Sequence, residues 1–265
     1  MNIGFIGCGN MGASILNGIA ASTENAHNFF LYDKYAPAAE KLEKSIQSAV
    51  ICENEQAVVE KSDAVFLAVK PNVLSDVLKS IDKMTADKDT LLISIAAGKS
   101  TEFISACLSH DNRIIRVMPN INALVGEAIS AVCGNSIASQ EDIKTVTQLM
   151  SCTGKVLELD ESMFPLFGVL GGCSPAFVYM FIDALARAGV KNGMKKADAL
   201  QIAAQSVYGS AKMIMESDNH PWELTDMVCS PGGTTIEGVL SLKKDGFESA
   251  VQNAVDAAVE KDSKL

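Results

Sequence analysis

The chain has 265 residues, 48% of them hydrophobic and 20% charged, with a formal net charge of −10. This is the composition of a globular protein with a generous core, one large domain or two modest ones, and acidity without any basic block argues against a nucleic-acid partner. The seven cysteines (8, 52, 107, 133, 152, 173, 229) and three histidines (27, 110, 220) are too scattered for a zinc site or a disulfide framework, so reduced thiols, no metal and a cytoplasmic location are expected.

The first predicted strand, 2–7, carries Ile3, Phe5 and Ile6 and ends in Gly7-Cys8-Gly9-Asn10-Met11-Gly12. A helical pattern (Met11, Ile15, Leu16, Ile19) follows over 10–21. A Gly-x-Gly-x-x-Gly turn between a buried strand and a helix aims free backbone N–H groups and the positive end of a helix dipole at one point. A dinucleotide pyrophosphate fits there. In this reading Gly7 makes the tight turn, Gly9 lets the backbone approach the phosphates, and Gly12 lets helix and strand pack closely.

Further strands are predicted at 29–33, 49–52, 64–68, 90–95, 113–118, 127–133 and 155–159, with helices at 36–47, 54–61, 72–83, 100–109 and 139–150. The runs 64–68 and 90–95 are apolar without alternation, as strands covered on both faces are. The first half is therefore predicted to be a Rossmann-type parallel sheet with helices on both faces. After about Glu161 the strand signals stop. Helices are predicted at 176–190, 195–216 and 234–260, with breaks at Gly171-Gly172, Ser174-Pro175, Gly193 and Asp245-Gly246. The fold class is α/β followed by all-α: a dinucleotide-binding domain over 1–160 and a helical domain over 161–265. The helix 176–190 is apolar nearly all round, which points to a subunit interface, with an ordinary core helix as the competing explanation. No N-terminal Lys/Arg region marks a signal peptide and no apolar run looks long enough to span a bilayer, so no membrane association is expected.

Asp33 closes the second strand about twenty residues beyond Gly12, where an acidic residue hydrogen-bonds the adenosine ribose 2′-OH and repels a 2′-phosphate. That favours NADH, but Lys34 beside it could face a phosphate, and the preference stays open. Ala68-Val69-Lys70-Pro71 ends the fourth strand near the switch point of an open α/β sheet. Ser94 to Gly98, including Ala97, and Met118-Pro119-Asn120 end the next two strands. Asn120 could hold a carboxamide, although turn capping is as common a role. In Cys229-Ser230-Pro231-Gly232-Gly233-Thr234-Thr235-Ile236-Glu237, Pro-Gly-Gly cannot be helix interior while Thr234 can begin a helix. The result is a second helix N-terminus suited to a small carboxylate, or a bare N-cap turn. Residues 156–190 contain no lysine or histidine, and no acid–base pair is evident anywhere, which fits a reaction needing little proton chemistry from side chains. Cys8, Cys173 and Cys229 have no base beside them.

These segments resemble pyrroline-5-carboxylate reductases. The resemblance rests on Gly-Phe-Ile-Gly-Cys-Gly-Asn-Met-Gly (4–12), Ala-Val-Lys-Pro (68–71), Ser-Ile-Ala-Ala-Gly (94–98) and Arg-Val-Met-Pro-Asn (116–120). It continues through Ser-Pro-Ala-Phe (174–177), Gly-Ser-Ala-Lys-Met (209–213), His-Pro (220–221) and the segment 226–237. It implies hydride transfer from NADPH or NADH to 1-pyrroline-5-carboxylate, giving L-proline, by a Rossmann domain followed by a helical dimerisation domain. It also implies a homodimer that assembles further, commonly into a decamer. By motif, Ile6, Gly7, Cys8, Gly9, Asn10, Met11, Ala68, Val69, Lys70 and Pro71 contact the cofactor, with Asp33, Lys34, Asn54, Ala97 and Asn120 around it. Ser230, Gly232, Gly233, Thr234 and Thr235 hold the substrate, with the Thr235 hydroxyl near the imine nitrogen as the catalytic group.

The chain departs from the family pattern at Ile121 and Asn122, where Thr-Pro is common, at Gly-Gly-Cys-Ser-Pro (171–175), and at Trp222, where glycine is common. Asn54 stands one residue out of the usual offset from Asp63. Two competing readings are weaker. A β-hydroxyacid dehydrogenase would need a lysine in the lysine-free stretch, and a non-catalytic dinucleotide sensor would not need the Ser-Pro-Gly-Gly-Thr-Thr segment.

Overall fold

Each predicted strand of the first half is present in the computed structural model, which describes residues 1–22 and 27–262; the last three residues of the predicted second domain lie outside them. The strands are β1 (Asn2–Ile6), β2 (Asn28–Tyr32), β3 (Ala49–Ile51), β4 (Ala64–Leu67), β5 (Leu91–Ser94), β6 (Ile114–Met118), β7 (Ala128–Gly134) and β8 (Gly154–Glu158). They form one sheet in the order 3-2-1-4-5-6-7-8. Interleaved helices are α1 (Asn10–Ala21), α2 (Ala36–Ser45), α3 (Glu55–Lys61), α4 (Leu74–Asp87), α5 (Thr101–Ala106) and α6 (Gln140–Ser151).

Alternation along the strands divides the core in two. Ile3, Phe5, Phe29, Phe66 and Ile93 pack with Ile15, Leu16 and Ile19 of α1 and with α2 and α6. Ile6, Val65, Leu67 and Leu92 point the other way and pack with Val58, Leu74, Leu78 and Ile104 of α3, α4 and α5. Every residue of β4 and β5 is buried, which is why neither shows a polar alternation. Phe5 and Phe66 stack at 4.7 Å between ring centroids across the β1–β4 pair.

The predicted parallel sheet is corrected at one place. β7 runs antiparallel to β6, Met118 opposite Ala131, and β8 is parallel to β7. The reason is the connection: only a short 3-10 turn, Ile121–Val125, links β6 to β7. A parallel return needs a crossover of a dozen or more residues.

The compact units divide between Gly172 and Cys173. Residues 161–172 pack with the sheet. Phe164 and Phe167, in the one-turn helix α7 (Phe164–Phe167), bury against Ala131 and Cys133 of β7. Glu161 accepts hydrogen bonds from the Thr101 N–H (2.8 Å), the Thr101 hydroxyl (2.7 Å) and Arg116 (2.9 Å). The Arg116 guanidinium lies over the Phe164 ring, 4.6 Å from its centroid. The predicted break at Gly171-Gly172 is a π-helical turn, Gly168–Cys173, so helical structure continues into Ser174-Pro175.

The second unit consists of α8 (Ser174–Lys191), α9 (Lys196–Glu216), α10 (Pro221–Val228), α11 (Thr234–Lys244) and α12 (Phe247–Asp262). α8 and α9 meet through Ile182, Ala186, Ala199 and Ala203. Sequence reasoning missed α10. It is only eight residues long, too short for a periodic pattern, and is started by Pro221 and a capping box in which Glu223 accepts the His220 N–H at 2.7 Å. In the single chain Met180, Met215 and Met227 are each at least 70% exposed. The stretch Glu161–Lys191 also corrects an expectation, being long and apolar enough, by length and composition, to cross a membrane.

Candidate functional site

The sheet order changes direction between β1 and β4, and ligands of open α/β sheets bind in the crevice at the strand carboxyl ends there. A cleft of about 430 Å³ lies at that point, lined by Ile6, Gly7, Gly9, Asp33, Lys34, Ala68, Val69 and Lys70 among others. Eight of the predicted cofactor residues are thus brought together from three strand ends.

The three glycines differ in what they do. Gly7 has φ +102°, and a Cβ there would stand 2.4 Å from the Ala68 carbonyl oxygen, so the turn excludes any side chain. A Cβ on Gly12 would lie 2.5 Å from the Gly7 carbonyl oxygen, which is what lets α1 sit this close to β1. Around Gly9 nothing lies within 4 Å of the added atom, and Gly9 is the exposed N-cap of α1. No side chain caps α1 and no acidic residue occupies its first turn, so its leading N–H groups have no side-chain partner from the helix itself, and its positive dipole end begins at the cleft-lining Gly9. A diphosphate fits against such a surface.

Asp33 is held between two turns. One carboxylate oxygen accepts the Cys8 N–H at 2.6 Å and the other accepts the Tyr35 N–H at 2.8 Å. Cys8 itself is buried, and burial, helped by the nearby Asp33 charge, pushes its thiol up to about 12. It is a neutral, inert group at physiological pH.

The remaining cofactor candidates do not line the cleft. Asn10 and Met11 belong to the first turn of α1, and Pro71 is exposed in the turn after β4. Asn54 caps α3, its side-chain oxygen accepting the Ala57 N–H at 2.9 Å. That places Glu55, which does line the cleft. Ala97 is exposed in the turn after β5. Asn120 is 95% buried by exposure of only 5%, and both ends of its amide are engaged. Its nitrogen donates to the Gly171 carbonyl at 2.9 Å and its oxygen accepts the Ile129 N–H at 3.3 Å. It braces the β6–β7 connection against the π-helical turn rather than reaching the cleft.

Sequence reasoning missed Tyr32, Glu55, Val73, Asp76, Val77 and Ser80 in the lining. Val73, Asp76, Val77 and Ser80 recur at helical spacing along one side of α4, a signal that a search for a second face on that helix would find. It also missed Thr101, Arg116 and Glu161, whose meeting joins distant parts of the chain and leaves no local trace. Burial would raise the Glu161 carboxyl, but the bonds from Thr101 and Arg116 outweigh it and hold the group below its ordinary value.

In the second unit Ser230, Gly232, Gly233, Thr234 and Thr235 lie together in the turn before α11 and in its first turn. The Gly233 N–H donates to the Ser230 carbonyl at 3.0 Å. Gly233 is the N-cap and no side chain caps the helix. α11 therefore repeats the arrangement of α1, a glycine-capped N-terminus with open amides, and it adds the exposed hydroxyls of Ser230, Thr234 and Thr235. Among the described residues no group of three His, Cys, Asp or Glu is placed to hold a metal ion.

Comparison with known proteins agrees along the whole chain. A family model described as pyrroline-5-carboxylate reductase dimerisation matches residues 161–265, and one described as NADP oxidoreductase, coenzyme F420-dependent, matches residues 2–98. The pyrroline-5-carboxylate reductase of Escherichia coli (strain K12) is 43% identical over 266 residues, covering 99% of this chain and 97% of that protein. The crystal structure of the 1-pyrroline-5-carboxylate reductase from Streptococcus pyogenes is similar with a TM-score of 0.86 at 34% identity, covering 100% of this chain and 99% of that one. That of the Plasmodium falciparum enzyme with NADP bound gives 0.84 at 33% identity, covering 99% and 97%. With this identity over nearly the full length of both partners, the chain belongs to the pyrroline-5-carboxylate reductase family.

Proposed function

We propose that the chain reduces 1-pyrroline-5-carboxylate to L-proline with NADH or NADPH, the last step of proline biosynthesis. The observation that carries this reading is the glycine-capped, open N-terminus of α11 inside the Ser230–Glu237 segment, in a chain whose β1–α1 turn offers a second such terminus.

The residues of the first cleft fit a dinucleotide. The open face at Gly9 leaves room for phosphate oxygens against the leading amides of α1, while Val69 and Lys70 continue the wall past β4. When bound, the reduced nicotinamide supplies the hydride. The amides at the head of α11 and the Ser230 and Thr234 hydroxyls hold the substrate carboxylate, and the Thr235 hydroxyl stands at the ring nitrogen. As C5 of the ring gains the hydride, the C=N π pair passes to nitrogen, whose proton comes from solvent or through Thr235. A protonated cyclic imine is already electrophilic, so positioning supplies most of what catalysis needs. That accounts for a site without a catalytic histidine or lysine.

The exposed apolar side chains of the second unit support a homodimer; further assembly into a decamer of five dimers and a cytoplasmic location belong to the same proposal. The apolar stretch Glu161–Lys191 then serves as a subunit face rather than a membrane span, and the charges of Asp183, Arg187 and Lys191 along it suit that use. The test is direct. Purified protein given 1-pyrroline-5-carboxylate should oxidise NADH or NADPH and yield proline in equal amount; no loss of nicotinamide absorbance with either cofactor overturns the reading.

A further inference from the structure

We infer that Asp33 makes the cleft select a dinucleotide with a free ribose 2′-hydroxyl, so that this chain prefers NADH to NADPH. The inference rests on the dinucleotide-binding part of the proposed function and specifies which cofactor that part takes.

Three observations carry it. The first is the fixed position of the carboxylate. Its two oxygens accept the Cys8 N–H at 2.6 Å and the Tyr35 N–H at 2.8 Å, which tie the end of β2 to the glycine turn. Each oxygen keeps a lone pair for a hydroxyl donor, and the side chain need not rotate to receive it. Because these bonds hold Asp33 at the cleft wall, it cannot swing away from an incoming phosphate without stripping two backbone N–H groups of their acceptor.

The second is the surrounding charge. Asp33, Glu55 and Asp76 line the same cleft, against Lys34 and Lys70. Lys34 is exposed and follows Asp33 directly, and among the described residues its ammonium makes no ion pair that fixes it over the cleft, whereas the Asp33 carboxylate is held by two backbone N–H groups. Three carboxylates thus face two ammonium groups, so the lining as a whole is not cationic.

The third is where the arginines are. A 2′-phosphate is normally met by a guanidinium, which offers forked donors that lysine lacks. In this chain Arg113 is paired with Asp89 and Asp142, Arg116 with Glu161, and Arg187 with Asp183. Every arginine is thus committed to an ion pair, and none lines the cleft.

The experiment measures binding apart from turnover. Nicotinamide fluorescence titrations give Kd for NADH and for NADPH with the full-length protein and with Asp33→Asn, which removes the charge and keeps an acceptor for the backbone. Initial rates with both cofactors are measured on the same preparations. Wild type is expected to bind NADH roughly ten- to a hundredfold more tightly than NADPH, the range of a charged hydrogen bond gained or lost. Asp33→Asn should shrink that ratio to within a few-fold, by weakening NADH and strengthening NADPH. Equal or tighter binding of NADPH by wild type overturns the inference, whatever the variant does. So does an unchanged ratio in a folded Asp33→Asn protein. Should wild type show the expected binding ratio but no proline formation with either cofactor, the reductase reading fails and the cofactor inference stands.

Discussion

The two compact units treat their apolar residues in opposite ways. In the first, strands β1, β4 and β5 and the inner faces of their helices are almost fully buried within the single chain. In the second, α10, α11 and α12 bury no residue at all, and α8 and α9 bury only two each. A sheet with helices on both faces closes its own core, whereas five helices of this composition cannot. The first unit is therefore complete as one chain and the second is built to be covered. Its family model is one of dimerisation, so a second copy is the natural cover. The same contrast holds for the two glycine-capped helices: α1 opens into a walled cleft of its own unit, while α11 carries its hydroxyls on an exposed turn.

The contrast is open to test, and the largest effect falls on the exposed helices. Met180→Glu places a charge on the apolar face of α8, where burial against a partner would cost roughly 4 kcal/mol, about a thousandfold in association. Light scattering should show the native assembly replaced by monomer. Tyr35→Glu, at an equally exposed site of the first unit, should leave the mass unchanged; if it dissociates the assembly as well, the division of roles is wrong.

Next comes the glycine turn. Gly7→Ala forces a Cβ onto the Ala68 carbonyl at a positive φ and should lower stability by about 3 kcal/mol in chemical denaturation. Gly9→Ala meets no protein atom, so its denaturation midpoint should stay near wild type while cofactor Kd rises about tenfold or more. Equal destabilisation by both would mean that Gly9 serves the fold and not a ligand.

A smaller effect is expected in the second unit. Thr235→Ala should lower kcat by roughly a hundredfold, the lower end of what a positioned proton donor contributes, since solvent can also supply the proton. Cys8→Ala should leave kcat within a few-fold, since a thiol held near 12 takes no part in proton transfer. Matching losses would show that the role assigned to Thr235 is misplaced.

The smallest effect concerns Glu161. Its native carboxyl is depressed, so its contribution is fully present above the unfolded value of about 4.3 and disappears as pH falls through the lower native one. Glu161→Gln should cost about 1–3 kcal/mol at neutral pH and flatten the loss of stability of wild type below about pH 4. Parallel acid-unfolding curves for the two proteins would show that the bonds to Thr101 and Arg116 contribute nothing.

Much of this was legible in residue order. The strands and helices of the first unit follow from buried runs and helical periodicity, and the glycine turn shows its purpose because each glycine answers a different steric demand. The cleft was half legible. Residues at strand ends, such as Asp33 and Ala68, are named by position, but the α4 wall is set by which side of that helix faces the β1–β4 junction. Asn120 was legible only as a polar residue on the rim. Its burial and its bond to Gly171 depend on a segment far along the chain.

Hydrophobic period, glycine placement and the Ser-Pro-Gly-Gly-Thr-Thr segment were enough to specify a nucleotide-binding sheet, a helical second half and a family, because each acts over a few neighbouring residues. The reversal of β7, the Thr101–Arg116–Glu161 node and the clamping of Asp33 by Cys8 and Tyr35 were decided by the folded chain. Each depends on which distant backbone groups meet, and local pattern carries no record of that.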